Sequence, residues 1–501
     1  MPLGQSLTPE HLQSADPAGV VLVVDQDDNR PLDPRTAADR AMRTVEAIRL
    51  LDELPQACRL WVARPGEHVD PTVDALRGVL RTAAYECPKV AASLVEFSDS
   101  TQPAALARTL LHDGPPIECA WQGTGFSVLR LVPGAPETTV TSPPEALVRP
   151  DGSYLISGGL GGLGLLTAAW LAGKGAGRIL LLGRSLPSAE ARAKVEELRK
   201  AGADVEVIQG DIGVAGIAEK AVRKAMSARL PLRGVFHCAG QLHDATIARI
   251  ERPILDATWR GKAEGAWALH RATTGHELDH WVLFSSVASL LGSPGQAVHA
   301  AANAWLDGLA AWRRAQGLPA ASVQWGAWSQ VGAGQGMAER GVAMISPTEG
   351  VDALERILGA GYPLVAYSPI DLAQWTAPYP GAARSALFAR QLGDRQGKDS
   401  GSSLPRALRE SASDAERQVL LEDHITDCVR EILGGTSLRI TPRTSLVTLG
   451  LDSLNAVRLR VMLENSLGMS IDGGILWTKP TAAGLTDWIM HRMGYREEQP
   501  A

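Results

Sequence analysis

The stretch SYLISGGLGGLGLLTAAWLAGKG, residues 153–175, reads as an apolar strand, a glycine turn and a helix in immediate succession. Glycine clusters also make ordinary turns, so the turn alone decides little. Here a second strand, RILLLGRS (178–185), follows at the distance that closes a βαβ unit, and that context points to a dinucleotide-binding α/β fold. The chemistry requires close approach. Gly158, Gly162 and Gly164 remove side chains, so that backbone amides and the helix N-terminus can receive a pyrophosphate. At the end of the second strand, where an acidic residue usually holds a ribose 2′-hydroxyl, the chain has Arg184 and Ser185. A cation and a hydroxyl suit a 2′-phosphate, which favours NADPH over NADH.

Upstream, residues 1–147 alternate short β-like runs with helical patterns. GVVLVVD (19–25), RLWVAR (59–64), SLVEF (93–97) and SVLRLV (127–132) read as strands, and RTAADRAMRTVEAIRLL (35–51) and PTVDALRGVLRTAAYE (71–86) as amphipathic helices. The alternation predicts a parallel α/β sheet. No glycine-rich turn follows any of these strands, so this half reads as a scaffold without a nucleotide. The Pro-rich stretch TSPPEALVRPDG (141–152) separates it from the second α/β region, taken as 148–392. Polar, Gly- and Ser-rich GDRQGKDSGSSLPRALRESASD (393–414) reads as a flexible linker. A small helical unit is expected over 415–491, its first helix placing Leu421, Ile425, Cys428, Val429, Ile432 and Leu433 on one face, with 492–501 as a tail.

At 501 residues the chain is long enough for two or three folded units. A formal net charge of −6 gives no reason to expect a nucleic acid or an anionic membrane as partner. No apolar run is long enough to span a bilayer, and MPLGQSLTPEHLQ lacks the features of a signal peptide, so a cytoplasmic location is expected. The five cysteines, Cys58, Cys87, Cys119, Cys238 and Cys428, include no CxxC pair and suit reduced, buried thiols better than disulfides or metal ligands. No metal is expected.

The turn SGGLGGLG (157–164) resembles the TGxxxGxG turn of short-chain dehydrogenases/reductases, with Ser157 where Thr is usual. GDI (210–212), FHCAG (236–240), FSSVASLLGSPGQ (284–296) and AAANAWLDGLAAWRRAQGLPAASVQWGAW (300–328) narrow the resemblance to the ketoreductase domain of type I modular polyketide synthases. That family implies two Rossmann-like, doubly wound parallel-sheet subdomains, the first truncated and without cofactor. LRGVLRTAAYECP (76–88) is similar to a helix segment of that first half. Cofactor contacts are then implied at Ser157, Gly158, Gly162, Leu163, Gly164, Arg184, Ser185, Asp211, Ile212, Cys238, Ala239 and Gly240.

In the tail, LVTLGLDSLNAVRLR (446–460) resembles the attachment motif of acyl carrier proteins, which implies a small all-α carrier bundle with 4′-phosphopantetheine on Ser453. Asp452 could cap the helix that Ser453 begins, while Leu454, Val457 and Val461 face the core. The segment GILWTKPT (474–481) departs from the usual approach to the third carrier helix, with Trp477 and Lys479 in unusual places. Implied partners are an acyl or polyketide thioester on the carrier arm, other polyketide synthase domains or modules, and a phosphopantetheinyl transferase.

Ketoreductases of this family reduce a β-ketoacyl thioester by hydride transfer, with a Tyr donating the proton, a Ser bonding the carbonyl, and a Lys and an Asn orienting the relay. The matching positions are Lys262, Ser286 and Asn303, and the Tyr position is His299. No tyrosine occurs between Tyr154 and Tyr362. A free Tyr has a pKa of about 10 and a free His about 6.5. The neighbouring Lys262 lowers both. For Tyr this tunes an acid; for His it removes the proton to be donated, and imidazole is also the shorter side chain. Reduction is expected to be impaired or lost. Two other outcomes stay open: an active reductase with His299 kept protonated by Asp244 or His243, and a redox-silent proton transfer such as α-carbon epimerisation with His299 as base. The stereochemical signatures are also disturbed, with LHD (242–244) placing His243 mid-motif and Leu291 standing where one class carries Trp.

Overall fold

The computed structural model describes residues 1–5, 7–13, 19–24, 32–66, 68–112, 114–134, 147–331, 342–393, 403–433, 440–451, 453–467, 469, 471 and 474–496. They form two compact units, one of Met1–Trp375 with Ser385–Gln391 and one of Thr376–Arg384 with Leu392–Ala501.

The first unit holds two sheets. β1 (Gly19–Val23), β2 (Cys58–Pro65), β3 (Val90–Phe97), β4 (Glu118–Gln122) and β5 (Gly125–Val128) lie in that order across the first, and β1 to β4 are parallel. β5 returns antiparallel to β4. The expected strand at 127–132 is therefore shorter, displaced and part of a hairpin, and β4 was missed. The reason is local: Gly123, at φ +60°, allows a two-residue turn between Gln122 and Gly125.

The second sheet contains β6 (Ser153–Ser157), β7 (Arg178–Gly183), β8 (Val205–Gln209), β9 (Leu232–His237), β10 (His280–Ser286), β11 (Ala321–Trp325) and β12 (Leu364–Tyr367). Its order is β12-β11-β10-β9-β6-β7-β8, with all neighbours parallel. Every residue of β6 is buried, as a central strand covered on both faces requires. The strand order reverses between β6 and β9, and ligands of such sheets bind beyond the strand ends at that switch. The glycine turn follows β6 there.

One apolar core joins the two sheets, with Leu60, Leu76 and Val79 of the first half in the same cluster as Trp281, Trp305 and Leu306 of the second. Its seam is a helix pair. Pro71–Glu86 begins with Asp70 accepting from Thr72 N and Pro71 in the first turn. It packs against Ala297–Ala315 so closely that a Cβ on Gly78 would stand 2.4 Å from the Ala300 carbonyl carbon. The half built on the first sheet thus grips the helix that carries His299.

The second unit is all-α, with helices Ser403–Glu410, Asp414–Leu433, Ser453–Leu467, Ile475–Thr478 and Ala482–Arg492. Leu421, Ile425, Cys428, Val429 and Ile432 are buried on the second of these, and Leu433 packs partly buried against the same core. Ser403–Glu410 falls inside the stretch expected to be a flexible linker. Leu408 is fully buried in this unit's core, so the polar composition of 393–414 concealed a helix with an apolar anchor. Among the described residues no helix is long and apolar enough to cross a membrane.

Candidate functional site

A cleft of about 440 Å³ opens where the sheet order reverses. On one side stands the glycine turn. Gly158 adopts φ +71°, and a Cβ there would meet Ala239 N at 2.6 Å, so only glycine lets the turn lie against the chain leaving β9. Gly164 is as tight, its Cβ position lying 2.3 Å from the Gly158 carbonyl oxygen. The helix Gly162–Gly173 starts after Gly161 with no side-chain cap, which leaves its first amides free for an anion. These features fit a dinucleotide pyrophosphate: a flat glycine cradle ending on uncapped amides.

Of the residues expected at a cofactor, Gly158, Gly162, Leu163, Gly164, Cys238 and Gly240 line the cleft. Six do not. Ser157 is fully buried beneath the turn, and Ala239 packs against Gly158. Arg184 and Ser185 are exposed just past β7. Asp211 turns its carboxylate to the Gly213 amide at 3.0 Å, and Ile212 is buried in the core against Gly265.

Facing the glycine turn, Lys262, Ser286 and His299 line the same cleft, and Asn303 is fully buried behind His299. Lys262 sits in a π-helical turn, Arg260–Glu264, a widened geometry often found at functional sites. Its Nζ donates to the Phe284 carbonyl at 2.6 Å. Burial brings its pKa down to about 8, opposed by Cys238 and Asp307. Ser286 ends β10 and caps the next short helix, its Oγ accepting from Ala288 N at 3.2 Å. Its hydroxyl hydrogen stays available.

His237 was not singled out from sequence, though it lies in the quoted FHCAG. It is fully buried, with Nε2 2.9 Å from the Lys262 carbonyl oxygen and Nδ1 2.6 Å from Ser157 Oγ. Since a carbonyl only accepts, Nε2 donates to Lys262 and Nδ1 accepts from Ser157. One neutral imidazole ties the glycine turn to the lysine turn. Burial, then the Lys262 charge, push its pKa down to about 3.

His299 and Asn303 are one helical turn apart. Asn303 Nδ2 donates to the His299 carbonyl at 2.8 Å and lies 3.2 Å from His299 Nε2. Nε2 therefore accepts and the ring proton rests on Nδ1, which is buried without a partner among the described residues. The pKa of His299 is pushed down to about 3. Burial is the larger cause and Lys262, the only cause expected from sequence, the smaller. Asp244 accepts from Gln296 Nε2 at 3.2 Å and His243 Nδ1 sits 3.4 Å from Thr258 Oγ1; neither contributes to raising the pKa of His299. Leu291 lines the cleft and His243 does not.

Much of the remaining wall is apolar. Phe284, Trp325, Trp328, Val342, Ile370 and Trp375 contribute to it, and the sequence carries one hint of them, the tryptophan pair of QWGAW, which begins in the last residues of β11. In the helical unit, Ser453 is the first residue of its helix. Asp452 lies outside the described residues, as do the side chains of Ser453, Leu454, Val457 and Val461.

Residues 152–330 match the KR domain family, and residues 423–489 the phosphopantetheine attachment site family. A phenolphthiocerol/phthiocerol polyketide synthase of Mycobacterium tuberculosis is 40% identical over 365 residues, covering 72% of this chain. The chain spans only 17% of that relative's length. Among solved structures, an A1-type ketoreductase is 30% identical with a TM-score of 0.59, over 68% of this chain and 75% of that one. A C2-type ketoreductase from a modular polyketide synthase is 26% identical with a TM-score of 0.65, over 76% and 86% respectively.

Proposed function

Because the chain belongs to the modular polyketide synthases, carrying a ketoreductase domain and a phosphopantetheine carrier domain, we propose that it binds NADPH, receives a β-ketoacyl chain on its own carrier arm, and has lost most of its capacity to reduce that chain. The observation that carries this reading is a buried His299 sharing the cleft with Lys262 at the position where the family carries Tyr. In this reading Ser453 bears the arm, attached by a phosphopantetheinyl transferase, and other modules supply and take away the acyl thioester.

NADPH, when bound, supplies a hydride to the β-carbon of the ketone. Gly158, Gly162, Leu163 and Gly164 would hold its pyrophosphate through backbone amides, and the exposed Arg184 and Ser185 past β7 would meet its 2′-phosphate. Ser286 uses its free hydroxyl hydrogen to bond the ketone oxygen, because its lone pair already takes the Ala288 amide. Lys262 keeps its ammonium at neutral pH, with one hydrogen committed to Phe284. The oxygen must gain a proton as hydride arrives, and His299 is the side chain in place to give one. A ring whose acid form has a pKa of about 3 is neutral at pH 7, and its remaining N–H is a very poor acid. The same depression argues against the two other outcomes. An active reductase needs the doubly protonated ring, and a base whose conjugate acid has a pKa of about 3 takes a proton from carbon poorly.

The test is to load Ser453 with a β-ketoacyl pantetheine, add NADPH, and follow cofactor fluorescence, absorbance at the nicotinamide band and product mass. Saturable NADPH binding with little or no reduced product is expected, and Ser453→Ala should refuse loading. Arg184→Glu should weaken NADPH more than NADH. Rapid reduction by the wild-type chain would overturn the reading, and deuterium exchange at C2 without loss of NADPH would replace it with proton transfer.

A further inference from the structure

Among the groups through which the first half reaches the loops of the cleft is one buried carboxylate. Glu86 is the last residue of the helix Pro71–Glu86 and is 3% exposed. Its Oε2 accepts from Ile247 N at 2.6 Å, and its Oε1 accepts from Gly295 N at 2.6 Å. The two amides belong to different segments. Ile247 ends the loop after β9 that brings Gln241 and Leu242 into the cleft; Gly295 lies in the loop that brings Gly292, Ser293 and Gln296 there and then enters the His299 helix. The loops also touch each other, through Ala245 N to the Gly295 carbonyl at 2.8 Å and Gln296 Nε2 to Asp244 Oδ1 at 3.2 Å.

Neighbouring residues of the same helix hold the short helix Val287–Leu291 that leads into the second loop. Tyr85 Oη donates to the Leu291 carbonyl at 2.9 Å, and Arg81 Nη1 donates to the Ser289 carbonyl at 2.6 Å. Trp375, which lines the cleft, donates from its indole to Tyr85 Oη at 3.0 Å. None of these contacts touches the glycine turn.

We infer that Glu86 is a positioning residue for the acyl substrate: a buried carboxylate that clasps two loops bordering the cleft, 241–247 and 292–296, through bonds that do not involve the glycine turn. The inference rests on the proposed function for the identity of the ligand, a β-ketoacyl pantetheine. The physical basis is charge-assisted bonding to two amides that have no solvent to fall back on. In Glu86→Gln one oxygen becomes an NH₂ that must face a backbone N–H, donor against donor. In Glu86→Asp the anion remains but is drawn back by one methylene.

Two measurements on the full chain decide it. Hydrogen–deuterium exchange without ligand should show Glu86→Gln speeding exchange about tenfold or more in peptides covering 241–247 and 292–296, with 157–164 unchanged and Glu86→Asp intermediate. Binding of a non-reducible β-ketoacyl pantetheine analogue should weaken about tenfold in Glu86→Gln while NADPH affinity stays within about twofold. Unchanged exchange in both loops overturns the clasp, and equal losses for both ligands overturn its selectivity for the substrate. If the wild-type chain does not bind the analogue, the proposed function fails, and the exchange data still decide the clasp.

Discussion

Replacing His299 with Tyr should restore reduction, and its size can be worked from the site. With a pKa of about 3, the imidazole holds its second proton in about one molecule in 10⁴ at pH 7, a deficit of about 5.5 kcal/mol at 1.36 kcal/mol per unit. A positioned general acid contributes about 10²–10⁴-fold. The two figures agree that an acid is effectively missing. A phenol has the opposite property: beside Lys262 its pKa falls from about 10 toward neutrality, yet it keeps a transferable proton at pH 7. The added atoms extend into the cleft that His299 already lines, so overpacking is not the controlling cost. The assay is NADPH consumption and product mass with a β-ketoacyl pantetheine on Ser453, comparing wild type, His299→Tyr, and His299→Tyr with Ser286→Ala. A gain of about 10²-fold or more in the single variant, lost again in the double, is expected. Wild type and His299→Tyr reducing within a factor of about ten of each other would refute the protonation argument.

Gly158→Ala should abolish detectable NADPH binding in a fluorescence titration while the fold survives, because the left-handed backbone and the 2.6 Å approach to Ala239 N admit no methyl group. Gly78→Val should lower the thermal midpoint, by the equivalent of about 1–3 kcal/mol, through overpacking at the helix crossing on Ala300. Acid should destabilise the first unit in a defined window. His237 binds its proton near 6.5 when unfolded but only near about 3 when folded, so the unfolded chain holds more protons between these values. Stability falls as pH drops through that window and levels off below it, by up to about 5 kcal/mol for this residue. His299 acts in the same direction, so His299→Tyr should show a shallower decline in urea midpoint between neutral pH and about 4; an unchanged slope would contradict the depressed pKa of His299.

Short-range pattern made much of the fold readable. β6, the glycine turn and its helix follow one another within 153–175, and each carries its own signal: a buried apolar run, a glycine spacing, a helical period. The helices 35–51 and 71–86 were legible from their amphipathic faces and begin at Pro34 and Pro71, each behind a capping Asp. The hairpin of β4 and β5 was not legible, because Gly123–Thr124 is a weak turn signal until the strands beside it are paired. The helix Ser403–Glu410 was hidden for a related reason, since Leu404 and Leu408 gain meaning only from the core they enter. In the candidate site, Lys262, Ser286, His299 and Asn303 could be named from the family resemblance of the motifs around them. His237 and Glu86 could not be assigned a task, because the partners of each lie far along the chain, and three of the four are backbone atoms, which leave no mark in the sequence.

The sequence by itself determined which turn can accept a pyrophosphate and which serine stands in a carrier motif, and it showed a histidine where a tyrosine is usual. Those are matters of residue type and local spacing, and neighbours within a few positions decide them. Only the tertiary structure decided that burial, more than Lys262, lowers the pKa of His299, and that Glu86 accepts from amides of two loops at once. Burial and the approach of Lys262 set the first, and packing of a helix from one half against loops of the other set the second. Both are free energies of solvation and contact that exist only after distant segments meet.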